Sequence, residues 1–384
     1  MNILFLTPRN SKKHLGGVEG HVRLLTEELE RRGHEVRELS LSDIEVKENK
    51  DKRRLGKVEE KTNKIKAWIY LWKKRDLFRW AEVVHIHDVF WWLLPFWFLN
   101  RLGLLDGSFN SLNKVAKRDT NDTNRHANDA NKGKIYTTFH GWEGVCPPTR
   151  SAIWQKKLAQ KLSRGTIGVG RFFKKWYGVE QNRAVWGVVD PRISKLCKCP
   201  TLPRQGRAFA FFGRLEKVNG AEVVVEAIRK IIDHIKARPF PERPGLFRYF
   251  FVGDGSYRRE AEKFGKVTGM VKDPEKYLVD ADVVITSSYM SMLEATARGK
   301  SVIAVANNEL KKDYLDGHPL RKYIKVVKNA DELIRVIKGL YKGPALDSQG
   351  RALKDLRSAY LWALKQTPEK LADAYESLWK IPIN

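Results

Sequence analysis

The sequence predicts an α/β protein built from two doubly wound, Rossmann-like parallel-sheet domains. Three observations predict it. Apolar runs of strand length alternate with amphipathic helical stretches through both halves of the chain. Glycine-bearing loops join strand ends to helix starts, as parallel β-loop-α units require. The alternation stops at a proline-bearing stretch, 191–207, and then begins again. At 384 residues the chain exceeds the usual single-domain size, so two domains are expected, 1–190 and from 191 onward.

In the first half, NILFLTP (2–8) is an apolar strand broken by Pro8, and RNSKKHLGG is a basic, glycine-ended loop. A helix follows, with Val22, Leu24, Leu25 and Leu29 on one face and a stop at Gly33. Gly16 and Gly17 let the backbone approach a ligand at the helix start, where unpaired N–H groups favour anions. His34 to Leu41 reads as the second strand. Residues 47–66 carry nine basic and four acidic side chains and read as a solvated excursion or a basic patch facing a membrane or acceptor. IKAWIYLWKKRDLFRW reads as one helix, and AEVVHIHDV as a buried strand that places His85 and His87 on one face, with Asp88 at its end. A third metal ligand is not evident beside them. FWWLLPFWFLNRLGLL (90–105) is too short to span a bilayer; it reads as a core helix, or a segment dipping into a membrane interface. The polar stretch 106–134 reads as a disordered insertion. Order resumes with the strand ending at His140, the helix from Ser151, the strand GTIGVG, the short helix FFKKWYG and a last strand, AVWGVVDP.

The second half repeats the scheme. AFAFFGRL is a strand running into a loop, GAEVVVEAIRKIIDHI a helix, 236–246 a proline-rich loop, FRYFFVGDG a strand with a Gly253-Asp254-Gly255 turn, YRREAEKFG a helix and KVTGMV a strand. PEKYLVDA is a short helix. In ADVVITSSYMSMLEATARGKSVIAV (281–305) a buried strand ends in Thr286, Ser287 and Ser288, a helix carries Ser291 and Glu294, Gly299 stops it, and a second buried strand follows. The carboxyl ends of parallel strands and the following helix starts face the ligand crevice of such sheets, so this unit suggests a nucleotide: backbone for the diphosphate, Glu294 for ribose hydroxyls. YIKVV, ADELIRVIKGLYKG and two amphipathic helices complete the chain.

Composition narrows the classes. Lys plus Arg number 72 against 45 Asp plus Glu, a net charge of +27. Such a field draws in polyanions; it is also what a lysine-rich, heat-adapted surface looks like. The basic residues are spread along the chain without a nucleic-acid-binding motif, so nucleic acid is not expected as a partner. Cys146, Cys197 and Cys199 are too few for a disulfide framework or a four-cysteine zinc site. No apolar run reaches membrane-span length and MNILFLTP lacks a basic leader, so the expected location is the cytoplasm. The charge adds an expected peripheral contact with the inner face of the cell membrane.

The Gly16-Gly17 loop, FFGRLEKVNG, VGDG and LEATARGKSVIA, in that order, resemble the retaining glycosyltransferases of family 4 (group 1 glycosyl transferases), which have the GT-B fold. The resemblance implies a nucleotide-sugar donor held chiefly by the second domain, no metal and no other cofactor. It also implies a third segment, 366–384, crossing back to the first domain, which leaves 191–365 as the donor domain. Carried over residue by residue, Gly16 and Gly17 approach the diphosphate, His140 sits near the donor sugar, and Arg214 neutralises the departing diphosphate. Gly253 and Gly255 shape the crevice, Met270 or Val271 touches the base, the amides of Ser287, Ser288 and Ser291 hold phosphate, and Glu294 is the ribose ligand. Two positions depart from the family pattern. Its lysine falls at Asn219, for which Lys217 is a substitute two residues away, and its first glutamate falls at Thr286. The implied activity is transfer of a sugar to a hydroxyl acceptor, a glycan or a lipid-linked or membrane-surface molecule. The alternative is a weak or inactive relative acting as an interaction protein.

Overall fold

A computed structural model describes residues 1–45, 58–88, 94, 135–196, 208–237, 248–271, 274–342 and 346–380. The tryptophan-rich segment around 90–98 (save residue 94), the insertion 106–134, most of the proline-rich loop 236–246, and parts of 47–66 and 191–207 lie outside the described residues. In chain order the longer helices are α1 (Gly17–Arg31), α2 (Val58–Lys73), α3 (Arg75–Trp80), α4 (Arg150–Leu162), α5 (Ala221–Ala237), α6 (Tyr289–Ala297), α7 (Glu309–Asp316), α8 (Ala330–Lys342), α9 (Leu346–Leu364) and α10 (Pro368–Trp379). The chain divides into two compact units. The first comprises Met1–Glu143, Pro148–Val185 and Leu371–Asn384; the second comprises Gly144–Pro147 and Trp186–Lys370.

The first unit holds a parallel sheet of β1 (Asn2–Thr7), β2 (Glu35–Ser40), β3 (Val83–His87), β4 (Ile135–Phe139), β5 (Gly165–Val169) and β6 (Arg183–Val185), in the spatial order β2-β1-β3-β4-β5-β6. The order reverses between β1 and β3, whose register runs from Ile3 opposite Val83 to Leu6 opposite Ile86. At such a switch point the loops after the two strands diverge to opposite faces and leave a crevice. Strands covered on both faces are apolar throughout: Ile3, Leu4, Phe5 and Leu6 are all fully buried.

The second unit holds β7 (Ala208–Phe212), β8 (Arg248–Val252), β9 (Lys266–Val267), β10 (Val283–Thr286), β11 (Ser301–Val305) and β12 (Lys325–Val327), ordered β12-β11-β10-β7-β8-β9. Its switch point lies between β7 and β10. Under the sheet, Val224, Ala227, Ile228 and Ile231 of α5 meet Leu333 and Ile337 of α8 and Phe209 and Phe251 of the sheet. Each buried branched side chain there contributes about 1.5–3 kcal/mol.

Four local readings change. The expected helix 65–80 is two helices, α2 and α3, separated at Lys74 (φ −102°, ψ 17°). The last strand of the first half shrinks to Arg183–Val185, because Gly187 at φ 97° turns the chain out of the sheet. KVTGMV pairs only through Lys266–Val267; beyond it Gly269 makes a single antiparallel bridge to Gly253. Helix α7, capped by the Asn308 side chain, lies in a stretch for which the sequence reading assigned no element.

Candidate functional site

In the first unit the switch point is lined from three directions. The loop after β1 is fixed by Glu38 of β2, whose carboxylate accepts from Thr7 Oγ1 (2.6 Å), Ser11 N (2.9 Å) and Ser11 Oγ (2.6 Å). That loop leads to Gly16 and Gly17 and the start of α1. One turn in, His21 of α1 points back over the sheet and packs edge-on against His140, ring centroids 4.8 Å apart. β3 ends in His87 and then Asp88, which takes the left-handed conformation (φ 60°) tolerated by aspartate. Asp88 Oδ1 accepts from the His140 amide at 2.9 Å, fixing the chain that carries this imidazole.

A chain of polar groups runs inward from there. His87 Nδ1 and His140 Nε2 share a hydrogen bond of 2.8 Å. His85 Nε2 meets Thr138 Oγ1 at 2.7 Å, Thr138 Oγ1 meets the Tyr375 hydroxyl at 2.8 Å, and that hydroxyl meets His21 Nε2 at 3.0 Å. Trp379 Nε1 donates to His85 Nδ1 at 3.0 Å. Burial holds His21, His85 and His87 well below the usual imidazole range, with repulsion from His140 adding to it, and burial pushes His140 itself down to about 3. The cluster is therefore neutral at pH 7, a hydrogen-bonding network rather than a set of acids. No group of three or more His, Cys, Asp or Glu among the described residues could hold a metal ion. Beside it a cavity of about 250 Å³ is lined by Asp88, Thr137, Phe139, Glu143, Trp154 and Lys156, among others. That is below the ~300 Å³ at which small-molecule sites begin. Loss of solvation raises Asp88 to about 6.

In the second unit the loops after β7, β8 and β10 converge. Gly213 N donates to Val252 O (3.1 Å), Leu215 N to Asp254 O (2.8 Å) and Tyr257 N to Leu215 O (2.9 Å). The two loops run so close that a Cβ on Gly253 (φ 150°) would stand 1.9 Å from Gly213 O, and one on Gly255 (φ 157°) 2.4 Å from Leu215 O. Only glycine permits that approach. Glu216 ties the turn down, accepting from Ser256 N (2.9 Å) and Ser256 Oγ (2.6 Å). Met270, exposed, and Val271, partly so, follow the Gly253–Gly269 bridge at the edge of this loop cluster.

Between β7 and β10 stands the start of α6. Ser288 caps it in extended conformation and its hydroxyl donates to Ser291 Oγ at 2.9 Å. Ser287 Oγ donates to Asn219 O at 2.9 Å, fastening the β10 loop to the β7 loop. A Cβ on Gly213 would lie 4.0 Å from Ser291 Oγ. Arg214 is exposed there; its carbonyl accepts from Glu216 N at 2.8 Å, and its guanidinium has no hydrogen-bond or ion-pair partner among the described residues. The Tyr289 amide donates to the Tyr314 hydroxyl (2.9 Å), whereas those of Met290 and Ser291 have no acceptor among the described residues. Glu294, one turn further in, is partly exposed, with Arg298 Nη1 3.7 Å from its Oε2.

The two departures from the family pattern are now visible as places. Asn219 is buried, its Oδ1 without a partner among the described residues; the Thr286 hydroxyl is likewise buried with no partner among them. Lys217 is exposed, in a 3₁₀ turn whose carbonyl accepts from Asn307. Sequence reasoning missed His21, Tyr375 and Trp379, which only the fold brings to β3 and β4. It also missed Lys311 of α7, buried to 4% exposure with its Nζ 4.4 Å from the Tyr314 ring centroid. A pattern signal for Lys311 existed: it shares a face with Leu310, Tyr314 and Leu315, all buried.

Two doubly wound parallel units, the second with an exposed arginine and, among the described residues, open helix amides at its switch point, define an α/β class whose ligand crevices lie at such switch points. The comparisons say which member of that class it resembles. Residues 206–342 match the model of the family described as glycosyl transferases group 1. No curated protein sequence matches the chain. A glycosyltransferase from Rickettsia africae ESF-5 superposes with TM-score 0.58 at 16% identity, covering 99% of both chains. Anabaena HepE in complex with UDP-glucose gives 0.58 at 13% identity over 98% of this chain and 99% of its own. The catalytic domain of starch synthase IV from Arabidopsis thaliana, bound to ADP and acarbose, gives 0.58 at 11% over 99% of both. The fold is the GT-B fold of glycosyltransferases.

Proposed function

We propose that the protein is a glycosyltransferase that moves a sugar from a nucleoside diphosphate sugar to a hydroxyl acceptor with retention of anomeric configuration. The observation that carries this reading is an exposed Arg214, following the Gly213 that lies beside Ser291, together with Met290 and Ser291 amides that have no acceptor among the described residues, inside the stretch that matches the family. An unpaired cation and helix-start amides suit a diphosphate. Glu294 then accepts the ribose hydroxyls, Ser287, Ser288 and Ser291 frame the phosphates, Gly253 and Gly255 keep the wall thin, and Met270 or Val271 meets the base. The bond from the anomeric carbon to the phosphate oxygen breaks, the acceptor oxygen bonds on the same face, and its proton passes to the departing phosphate. No protein nucleophile is needed. Arg214 acts on the charge that grows on the leaving phosphate. In the first unit His140, neutral at working pH, is a hydrogen-bonding group rather than an acid, and Gly16 and Gly17 leave their own helix start open to an anion. The reading requires no metal. The charge of +27 favours an acceptor at an anionic membrane surface.

Incubation with UDP-, GDP-, ADP- and dTDP-sugars, with hydrolysis or transfer as readout, tests it. Arg214→Ala should abolish turnover at unchanged melting temperature, and excess chelator should change nothing. Near-normal transfer by the variant would sink the assignment. Asn219 and Thr286 support a second reading, a catalytically silent relative; nucleotide binding without turnover of any donor would favour it.

A further inference from the structure

Arg214 has company that the family pattern does not anticipate. Lys311 lies in the first turn of α7, where its own amide donates to the capping Asn308 side chain at 2.8 Å. Its side chain is almost wholly buried and makes no hydrogen bond or ion pair with a described residue. Its ammonium lies 4.4 Å from the Tyr314 ring centroid, that ring is stacked 3.8 Å from Tyr289, and the Tyr314 hydroxyl receives the first amide of α6. Lys311 is therefore joined through Tyr314 to the helix start that offers the open amides, and it lies near enough to Arg214 to be repelled by it. A buried cation facing another cation, with no anion between them, is costly unless a ligand supplies the charge.

We propose that Lys311 is the second diphosphate-binding cation of this site, delivered by α7 in place of the family lysine whose position Asn219 occupies. This rests on the donor-site reading above. It deepens that reading by predicting how donor binding depends on protons. Burial, with Arg214 second, pushes the Lys311 ammonium down to about 7 in the free protein. The titratable and charged groups tied to it are Arg214 from the β7 loop and Tyr314 of α7, whose ring stacks on Tyr289 of α6, with His318 packed against that same Tyr289. Both tyrosines are shifted upward by burial and stay neutral, and burial holds His318 down to about 3. Lys311 is thus the group there that changes charge between pH 7 and 9. A bound diphosphate raises its pKa, so binding takes up a proton from solvent in that window. The sign follows. Affinity is full below pH 7, where free and bound protein both carry the charge, and falls about tenfold per pH unit above it, until the raised pKa of the complex is reached.

The test is calorimetric binding of UDP, GDP, ADP and dTDP to the full chain from pH 6 to 9, in buffers of different ionisation enthalpy. Wild type should bind at least one of them with the falling profile and net proton uptake above pH 7. Lys311→Met should bind roughly ten- to a hundred-fold more weakly below pH 7, with the profile flattened, while melting at a higher temperature without nucleotide because a buried charge is gone. Lys311→Arg should bind tightly with a flat profile. If Lys311→Met keeps wild-type affinity and slope, the inference fails while the donor-site reading stands. Should that variant not fold, a flat wild-type profile without proton uptake overturns the inference equally. Absence of binding by wild type to all four nucleotides overturns both.

Discussion

Acid should weaken the second unit through one histidine, and the amount can be worked out. His318 is 2% exposed, its Nδ1 accepts from Leu320 N at 3.1 Å, and its Nε2 has no partner among the described residues. Its ring is enclosed by Tyr289 (4.3 Å between centroids), Trp186 (5.3 Å) and Trp362 (5.4 Å). Protonation would put a charge among aromatic rings and remove the acceptor that Leu320 needs; burial holds the imidazole down to about 3, the Trp186 backbone offsetting only part of it. In the unfolded chain the same group titrates near 6.5. Between those values the unfolded state binds more protons, so stability is intact above about pH 6.5 and is lost as pH falls. By pH 4 the loss is about 2.5 units at ~1.4 kcal/mol each, or about 3.4 kcal/mol. This is a large share of the ~5–15 kcal/mol that holds a domain folded. His318→Asn keeps an acceptor where Nδ1 was and cannot titrate. At pH 7 the smaller side chain costs roughly 1–2 kcal/mol in lost packing. The variant should therefore melt below wild type at pH 7 and above it by pH 4. Urea unfolding from pH 4 to 8, followed by tryptophan fluorescence, would show the two stability curves crossing between about pH 5 and 6. Parallel curves would refute the argument, because they would mean that His318 does not titrate with unfolding.

Two further outcomes are expected. Tyr375→Phe removes the hydroxyl shared by His21 Nε2 and Thr138 Oγ1 and leaves a buried imidazole nitrogen unpaired, at about 1–3 kcal/mol; the urea midpoint of the first unit should fall, and an unchanged midpoint would show that the network contributes nothing. Gly253→Ala forces a methyl to 1.9 Å from the Gly213 carbonyl at φ 150°, so the loop bearing Arg214 must move; nucleotide binding should drop with a loss of stability of roughly 3 kcal/mol, and tight binding by the alanine variant would mean that the loop contact is dispensable.

What was legible in the sequence follows from how local each cause is. Parallel strands buried on both faces advertise themselves as apolar runs, and the glycines of the Gly253–Gly255 turn report a backbone approach that no other residue permits. Strand ends at a parallel sheet's carboxyl edge are candidate sites on topological grounds, which reach Ser287 and Glu294, whereas His140 and Arg214 are singled out by the family resemblance. The histidine cluster was only half legible. Alternation places His85 and His87 on one face, but His21 meets Tyr375 across a separation of 354 residues. That contact exists because Leu371–Asn384 packs in the first unit, and no spacing rule encodes it. The break at Lys74 lacked any glycine or proline signal.

Asn219 and Lys311 show why position-by-position reading stops short at a charged site. A motif records which position carries a charge, whereas a phosphate responds to the potential where it sits. Asn219 is buried with its carbonyl fastened to Ser287, so its loop still frames the β7–β10 crevice after losing its cation. Lys311 stands on α7, 92 positions later in the sequence, against Tyr314, whose ring stacks on Tyr289 at the start of α6. A helix that presents one cation on an otherwise apolar face is in conflict with its own burial. Such a conflict is relieved when the ammonium gives up its proton or when an anion arrives. The mismatch that looked like a lost residue in the motif and the mismatch of a buried lysine on an apolar helix face are, on this argument, the two halves of one substitution.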